Sequence, residues 1–236
     1  MSKSNNKKRF RALATDGDGT LTRGGHLGIK TREALFRLRN KGIKIILTTG
    51  ETPQDLAKFP HLDLFDLVVG ENGALLLEPS TGKEHLLAKP PPDKLVAALR
   101  GAKIRPLKFG RVIIGTTHVH KRVIEQALEG FDPAWQVIRN RQQLMVLPQG
   151  VDKASGLAAA LRKLKLSCDE VVAVGDAEND VALFRACSCG VAVANAVSQL
   201  KKCAMFVTHR GVGAGIVELV DRYFENGSVP GRRTRR

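Results

Sequence analysis

Short β-branched runs alternate with longer amphipathic stretches along this chain of 236 residues, and that rhythm admits few folds. Strand, helix, strand in succession closes most readily as a parallel sheet with crossover helices packed on its faces. Strands read at 11–15, 43–48 and 66–69. A helix reads at 31–40, where Ala34, Leu35 and Leu38 share one face and Gly42 acts as the stop. The run 74–77 opens a hairpin whose turn is 79–82. Pro90, Pro91 and Pro92 then break the pattern, because prolines supply no N–H to a sheet or a helix interior. Between them and Gly150 the order is helix (93–100), two strands (104–108, 111–115), helix (121–130) and two strands (135–138, 144–147). The strand and helix alternation then resumes, with helices expected at 153–164, 179–186 and 215–224 and strands at 170–174 and 190–193.

The expected fold is therefore α/β: a doubly wound, Rossmann-like parallel sheet core formed by 11–84 and 150–226, interrupted by a small inserted α+β cap at 85–149. Residues 1–10 and 227–236 read as basic tails. The formal charge is +15, and Lys3, Lys7, Lys8, Arg9 and Arg11 at one end and Arg232, Arg233, Arg235 and Arg236 at the other carry much of it. Such tails can tether a protein to nucleic acid or another polyanion, or simply keep it soluble. Aromatic residues make up only 5%, too few for a base-stacking platform. No apolar run reaches the roughly 20 residues of a membrane span, and no secretory signal is visible, so a cytoplasmic location is expected. Cys168, Cys187, Cys189 and Cys203 lack the paired spacing of a zinc knuckle, and His118 and His120 add no ligand pattern.

Chemistry concentrates where strands end. The first strand runs into Asp16-Gly17-Asp18-Gly19-Thr20-Leu21-Thr22, two carboxylates two apart on a glycine-bearing turn that can aim at one cation. An EF-hand is excluded, since Leu21 stands where its glycine belongs and Leu27 where its bidentate glutamate belongs. No phosphate-cradling glycine loop of the nucleotide-binding kinds is present. The next strand ends in Thr48-Thr49-Gly50, a hydroxyl and backbone N–H groups suited to a phosphate oxygen. The strand before Gly175 delivers Asp176, Glu178, Asn179 and Asp180, and Lys153 opens the helix after the insertion. Each motif alone is ordinary turn or cap chemistry. Together, at the carboxyl ends of parallel strands, they converge on one crevice.

In this order, Asp16 to Leu21, Thr49-Gly50, Lys153 and Gly175 to Asp180 resemble the haloacid dehalogenase-like hydrolases. The insertion after Glu71-Asn72-Gly73-Ala74 resembles their Cof-like branch, which includes sugar-phosphate, sucrose-phosphate and archaeal-type phosphoglycolate phosphatases. The resemblance spans about Arg11 to Phe224. It implies a Mg²⁺-dependent phosphatase of a small phosphate monoester, with Asp16 as nucleophile forming an aspartyl-phosphate and Asp18 as general acid and base. It further implies that Asp16, the Asp18 backbone carbonyl and Asp176 hold the metal, with Asp180 as ligand or directly behind. Thr49, Gly50, Lys153 and Asn179 are then the groups that grip the phosphoryl oxygens. A phosphomutase of the same fold and a phosphatase tethered to nucleic acid are the alternatives. Many relatives carry arginine where this chain has Glu51, which bears on the substrate more than on the reaction. Arg111, His118 and 139–143 are candidate substrate contacts from the cap.

Overall fold

The computed structural model describes residues 10–131 and 134–225. β1 (Ala12–Asp16) leads to α1 (Ile29–Asn40), β2 (Lys44–Thr48), the short α2 (Pro53–Leu56) and β3 (Leu67–Gly70), then to the hairpin of β4 (Leu75–Glu78) and β5 (Lys83–Leu86). Next come α3 (Asp93–Gly101), β6 (Lys108–Phe109), β7 (Ile114–Thr117), α4 (Lys121–Leu128), β8 (Trp135–Asn140) and β9 (Gln143–Pro148). The last third holds α5 (Lys153–Leu164), β10 (Val171–Gly175), α6 (Val181–Ala186), β11 (Cys189–Ala192), α7 (Ser198–Cys203), β12 (Phe206–Val207) and α8 (Val212–Leu219).

These strands form two sheets. Eight of them lie in the order β12-β11-β10-β1-β2-β3-β4-β5, parallel from β12 to β3 and antiparallel at the β4 and β5 edge. The other four, β6-β7-β9-β8, make an antiparallel sheet built wholly from residues 108–148. The central strands are apolar on both faces because helices cover both. On one side Leu13, Ile45, Leu47 and Val174 pack against Ala34, Leu35 and Leu38 of α1 and Ile216 and Leu219 of α8. On the other, Ala14, Ile46, Val69 and Ala173 pack against Leu157, Ala160 and Leu161 of α5 and Leu183 of α6. Each fully buried leucine is worth about 2 kcal/mol over an exposed one. The chain runs outward from β1 through β2 to β3, and later from β10 through β11 to β12. The order therefore reverses between β1 and β10, and a crevice opens at their carboxyl ends, where open α/β sheets bind ligands.

Several elements differ from the sequence expectation for local reasons. The strand expected at 104–108 shrinks to Lys108–Phe109, since Pro106 offers the ladder no N–H. The one expected at 111–115 begins only at Ile114, because the N–H groups of Arg111, Val112 and Ile113 donate instead to the Glu71 carboxylate. The helix expected from Asn179 begins at Val181, after a tight turn at 178–180. The last helix starts earlier, at Val212, and gives way after Leu219 to a wider π-type turn. α2, α7 and β12 are too short to leave a periodic signal.

Of the basic ends, Arg11 lies in the described part and pairs with Glu170 at 2.9 Å. The remaining tail residues named above lie outside the described residues. Among the described residues no helix is long and apolar enough to cross a membrane.

Candidate active site

The register of the sheet assembles the crevice. Asp16, the last residue of β1, pairs laterally with Thr48 of β2, so Thr49 and Gly50 follow immediately beside the Asp16-Gly17 turn. On the other flank β10 ends at Gly175 and hands the chain to Asp176. Glycine is required at 175, where a β-carbon would lie 2.5 Å from the Asp180 carboxyl. α5 comes in from below, with Asp152 as its cap accepting the Ser155 N–H at 2.8 Å, and places Lys153 at the first turn.

Lys153 is fully buried, and its ammonium donates to Asp16 Oδ1 at 2.5 Å and to Asp180 Oδ1 at 2.7 Å. The other oxygen of Asp180 accepts the backbone N–H groups of Asp176 and Ala177 at 2.9 and 3.0 Å, which fixes the loop that carries Asp176. Asp176 accepts the Thr20 hydroxyl at 3.0 Å and the guanidinium of Arg141, whose Nε lies 3.1 Å away. Asp16, Asp176 and Asp180 are all buried, and each offers an oxygen within 4.8 Å of the others. An all-oxygen, anionic and sheltered donor set of this kind fits a hard divalent cation such as Mg²⁺. Gly19 reinforces the fit: its φ is +90°, and a β-carbon there would meet Asp176 Oδ2 at 2.5 Å, so only glycine lets the turn close over this carboxylate.

Electrostatics follow from this crowding. Burial, joined by repulsion from Asp180 and Asp176, pushes the Asp16 pKa up to about 8 against the opposing pull of Lys153. Burial works to discharge Lys153, but the two carboxylates outweigh it and hold the ammonium charged, above its ordinary range. Three buried carboxylates thus share a single ammonium, so the cluster carries an excess of negative charge.

Asp18 stands apart from the trio. Its side chain is exposed, with the Thr22 hydroxyl and the Gly25 N–H each 3.4 Å from its Oδ1. Thr49 and Asn179 are buried in the crevice. Gly50 lies under Met145 of β9, whose methyl would be 3.1 Å from an added β-carbon. Of the residues considered for contact from the smaller sheet, Arg141, at the tip between β8 and β9, is the one that reaches the carboxylates; its Nη2 also lies 3.1 Å from the Asn195 carbonyl. Arg111 pairs instead with Glu84 at 3.4 Å, and the His118 backbone N–H goes to the Gln142 carbonyl. Sequence reasoning assigned no role to Asn195, whose amide donates to the Gly19 carbonyl at 2.8 Å and accepts the Val212 N–H at 2.7 Å. Nor did it assign one to Glu71 or Asn72. Glu71 and Asn72 figured only in the motif that marks the insertion, and nothing local announces what any of the three residues binds, because those partners are more than 15 residues away.

Glu51 sits partly buried at the edge of the crevice, in contact with Asp55, which Lys108 pairs with at 2.8 Å. Burial, with the hydrogen bond and charge of Asp55, raises its pKa to about 7. The folded chain thus holds a proton on Glu51 that the unfolded chain loses near 4.5, so stability falls as pH climbs from about 4.5 to 7. Glu51→Gln removes that component. Thermal melts taken across this window should show the wild type losing stability relative to the variant as pH rises; parallel curves would sink the assignment.

Residues 13–102 and 102–220 match the haloacid dehalogenase-like hydrolase family. The chain belongs to this family. It is 33% identical over 188 residues to phosphoglycolate phosphatase 2 of Saccharolobus solfataricus, covering 78% of each chain. A phosphoglycolate phosphatase of Nitrosopumilus maritimus is 28% identical over 230 residues, covering 90% of this chain and 95% of that one. The crystal structure of a haloacid dehalogenase-like hydrolase from Bacteroides thetaiotaomicron superposes with a TM-score of 0.76 at 21% identity, over 91% of this chain and 99% of that one. Within the haloacid dehalogenase-like family the chain is a phosphoric monoester hydrolase.

Proposed function

We propose that this hydrolase is a Mg²⁺-dependent phosphatase of a small anionic phosphate monoester, phosphoglycolate or a close analogue, with a sugar phosphate as the broader class. The observation that carries the reading is the pairing of a buried carboxylate at the end of the central strand, Asp16, with an ammonium, Lys153, and two further carboxylates at the point where the strand order reverses. The names of the relatives support the phosphoglycolate end of that range.

In this mechanism an oxygen of Asp16 attacks phosphorus and the ester oxygen leaves, giving an aspartyl-phosphate that water then hydrolyses. Asp18, exposed and close to the Asp16 turn, delivers the proton to the leaving oxygen and takes one from the water. Asp16, Asp176, Asp180 and the Asp18 backbone carbonyl would hold Mg²⁺, which supplies charge neutralisation between carboxylate and phosphate. Thr49, the Gly50 N–H, Lys153 and Asn179 bind the transferring oxygens. Residues 85–149 act as a cap that shuts water out. Met145 over Gly50 and the Arg141 contact with Asp176 support that arrangement. An exposed arginine whose guanidinium is held beside the buried Asp176 suits a leaving group that bears its own carboxylate. The four cysteines are all unpaired, in keeping with a reducing, cytoplasmic setting.

Phosphate release from phosphoglycolate, hexose phosphates, sucrose phosphate and nucleotides, each with Mg²⁺ and with EDTA, tests the reading. Release from phosphoglycolate that EDTA suppresses is the expected result. A folded protein that turns over none of these esters overturns it, and isomerised hexose phosphate without free phosphate would point to a mutase.

A further inference from the structure

The turn that follows β3, Glu71-Asn72-Gly73, takes no part in the mechanism above, yet it is built at some cost. Glu71 and Asn72 are both fully buried and both hold left-handed backbone, at φ 48° and 53°. Two consecutive non-glycine residues in that region are uncommon and persist only where the surroundings enforce them. Here the surroundings are the other strand ends. The Asn72 N–H donates to the Thr49 carbonyl at 2.8 Å. Gly73 is pressed on the start of α5 so closely that a β-carbon would lie 1.9 Å from the Asp152 carbonyl oxygen. The side-chain amide of Asn179 donates to Asn72 Oδ1 at 2.9 Å. The turn therefore touches the segments that present Thr49, Lys153 and Asn179.

The amide pair is also incomplete. Asn72 Nδ2 and Asn179 Oδ1 are buried and have no hydrogen-bond partner among the described residues. Turning both amides over would reverse the bond between them and still strand one donor and one acceptor. Leaving such groups unpaired in the interior is costly, so the pair is built to meet something. On the far side of the same turn, Glu71 accepts the N–H groups of Arg111, Val112 and Ile113 at 2.6, 2.7 and 2.9 Å, tying it to the smaller sheet.

We propose that Asn72 is a positioning residue for the phosphoryl group: it sets the Asn179 amide, while Glu71 beside it anchors the cap to the same turn. This rests on the phosphatase reading, since it needs a phosphoryl group to position. Asn72→Gly removes the amide and keeps a residue at ease with φ near 53°, so the backbone survives the change. Titration calorimetry with inorganic phosphate and Mg²⁺, on Asn72→Gly, Asn179→Ala, the double variant and the wild type, should show each single variant about tenfold weaker than wild type. The double variant should be no weaker than Asn179→Ala alone, because the two act as one unit. A melting curve for each variant separates this loss from unfolding. If the wild type binds phosphate and Asn72→Gly binds it equally, or if the two losses simply add, the positioning role is wrong and the phosphatase reading stands. If the wild type binds none, the positioning role falls, and the phosphatase reading falls with it only if the folded wild type also releases no phosphate from the esters above.

Discussion

Asp16→Asn should abolish Mg²⁺-dependent phosphate release, by about 10⁴-fold or more, while leaving the protein folded. The rate prediction follows from the chemistry: an amide in place of the carboxylate cannot attack phosphorus, and removing a covalent nucleophile removes the low-barrier route rather than weakening it. The folding prediction follows from the surroundings. Asp16 is buried beside Asp180 and Asp176, and its charged form is disfavoured there. A neutral amide of the same shape relieves that repulsion and can still accept the Lys153 proton, so in EDTA the variant should melt no lower than the wild type. Phosphate release and thermal melting, measured on one preparation, check both halves. Activity within tenfold of wild type would remove Asp16 from the role of nucleophile.

Lys153→Met carries the largest expected effect on stability. The methionine fills the space of the lysine stem but leaves two buried carboxylates, Asp16 and Asp180, without the ammonium between them. Breaking a buried ion pair from one side costs about 3–5 kcal/mol, because the remaining charge has neither water nor partner. The carboxylates can escape by binding protons, and the folded variant then holds protons that the unfolded chain releases near its ordinary carboxylate pKa. Its stability must fall as pH rises. Urea unfolding in EDTA should therefore show a deficit near 3 kcal/mol or more at pH 8 and a smaller one at pH 5. Equal deficits at the two pH values would mean that packing, not charge, makes lysine necessary there. Phosphate release should vanish as well, since the same ammonium holds a phosphoryl oxygen in the proposed mechanism.

What the linear chain determined by itself was the repeating part. The apolar runs of β1, β2, β3 and β10 and the face of Ala34, Leu35 and Leu38 on α1 are local patterns with a period, so strands and helices were legible to within a few residues. The same holds for Asp16, Thr49 and Asp176, because a polar cluster directly after an apolar strand is visible without knowing its neighbours, and Lys153 was legible as the residue that opens the helix after the insertion. The aspartates at 16 and 18 looked alike on that basis. Only the tertiary structure separated them, burying Asp16 against Lys153 and leaving the Asp18 side chain exposed.

Contacts between distant segments were decided there too. Glu71 takes the N–H groups of 111–113 across a gap of some forty residues, and in doing so moves the start of β7. Arg141 meets Asp176, and Asn179 meets Asn72, only because the sheet order brings the ends of β3, β10 and the β8–β9 hairpin together. The physical reason is range. Propensity and periodicity act over a turn or a strand, whereas a buried carboxylate or amide is satisfied by whatever donor the fold places within 3 Å, and that choice has no trace in its own neighbourhood of the chain.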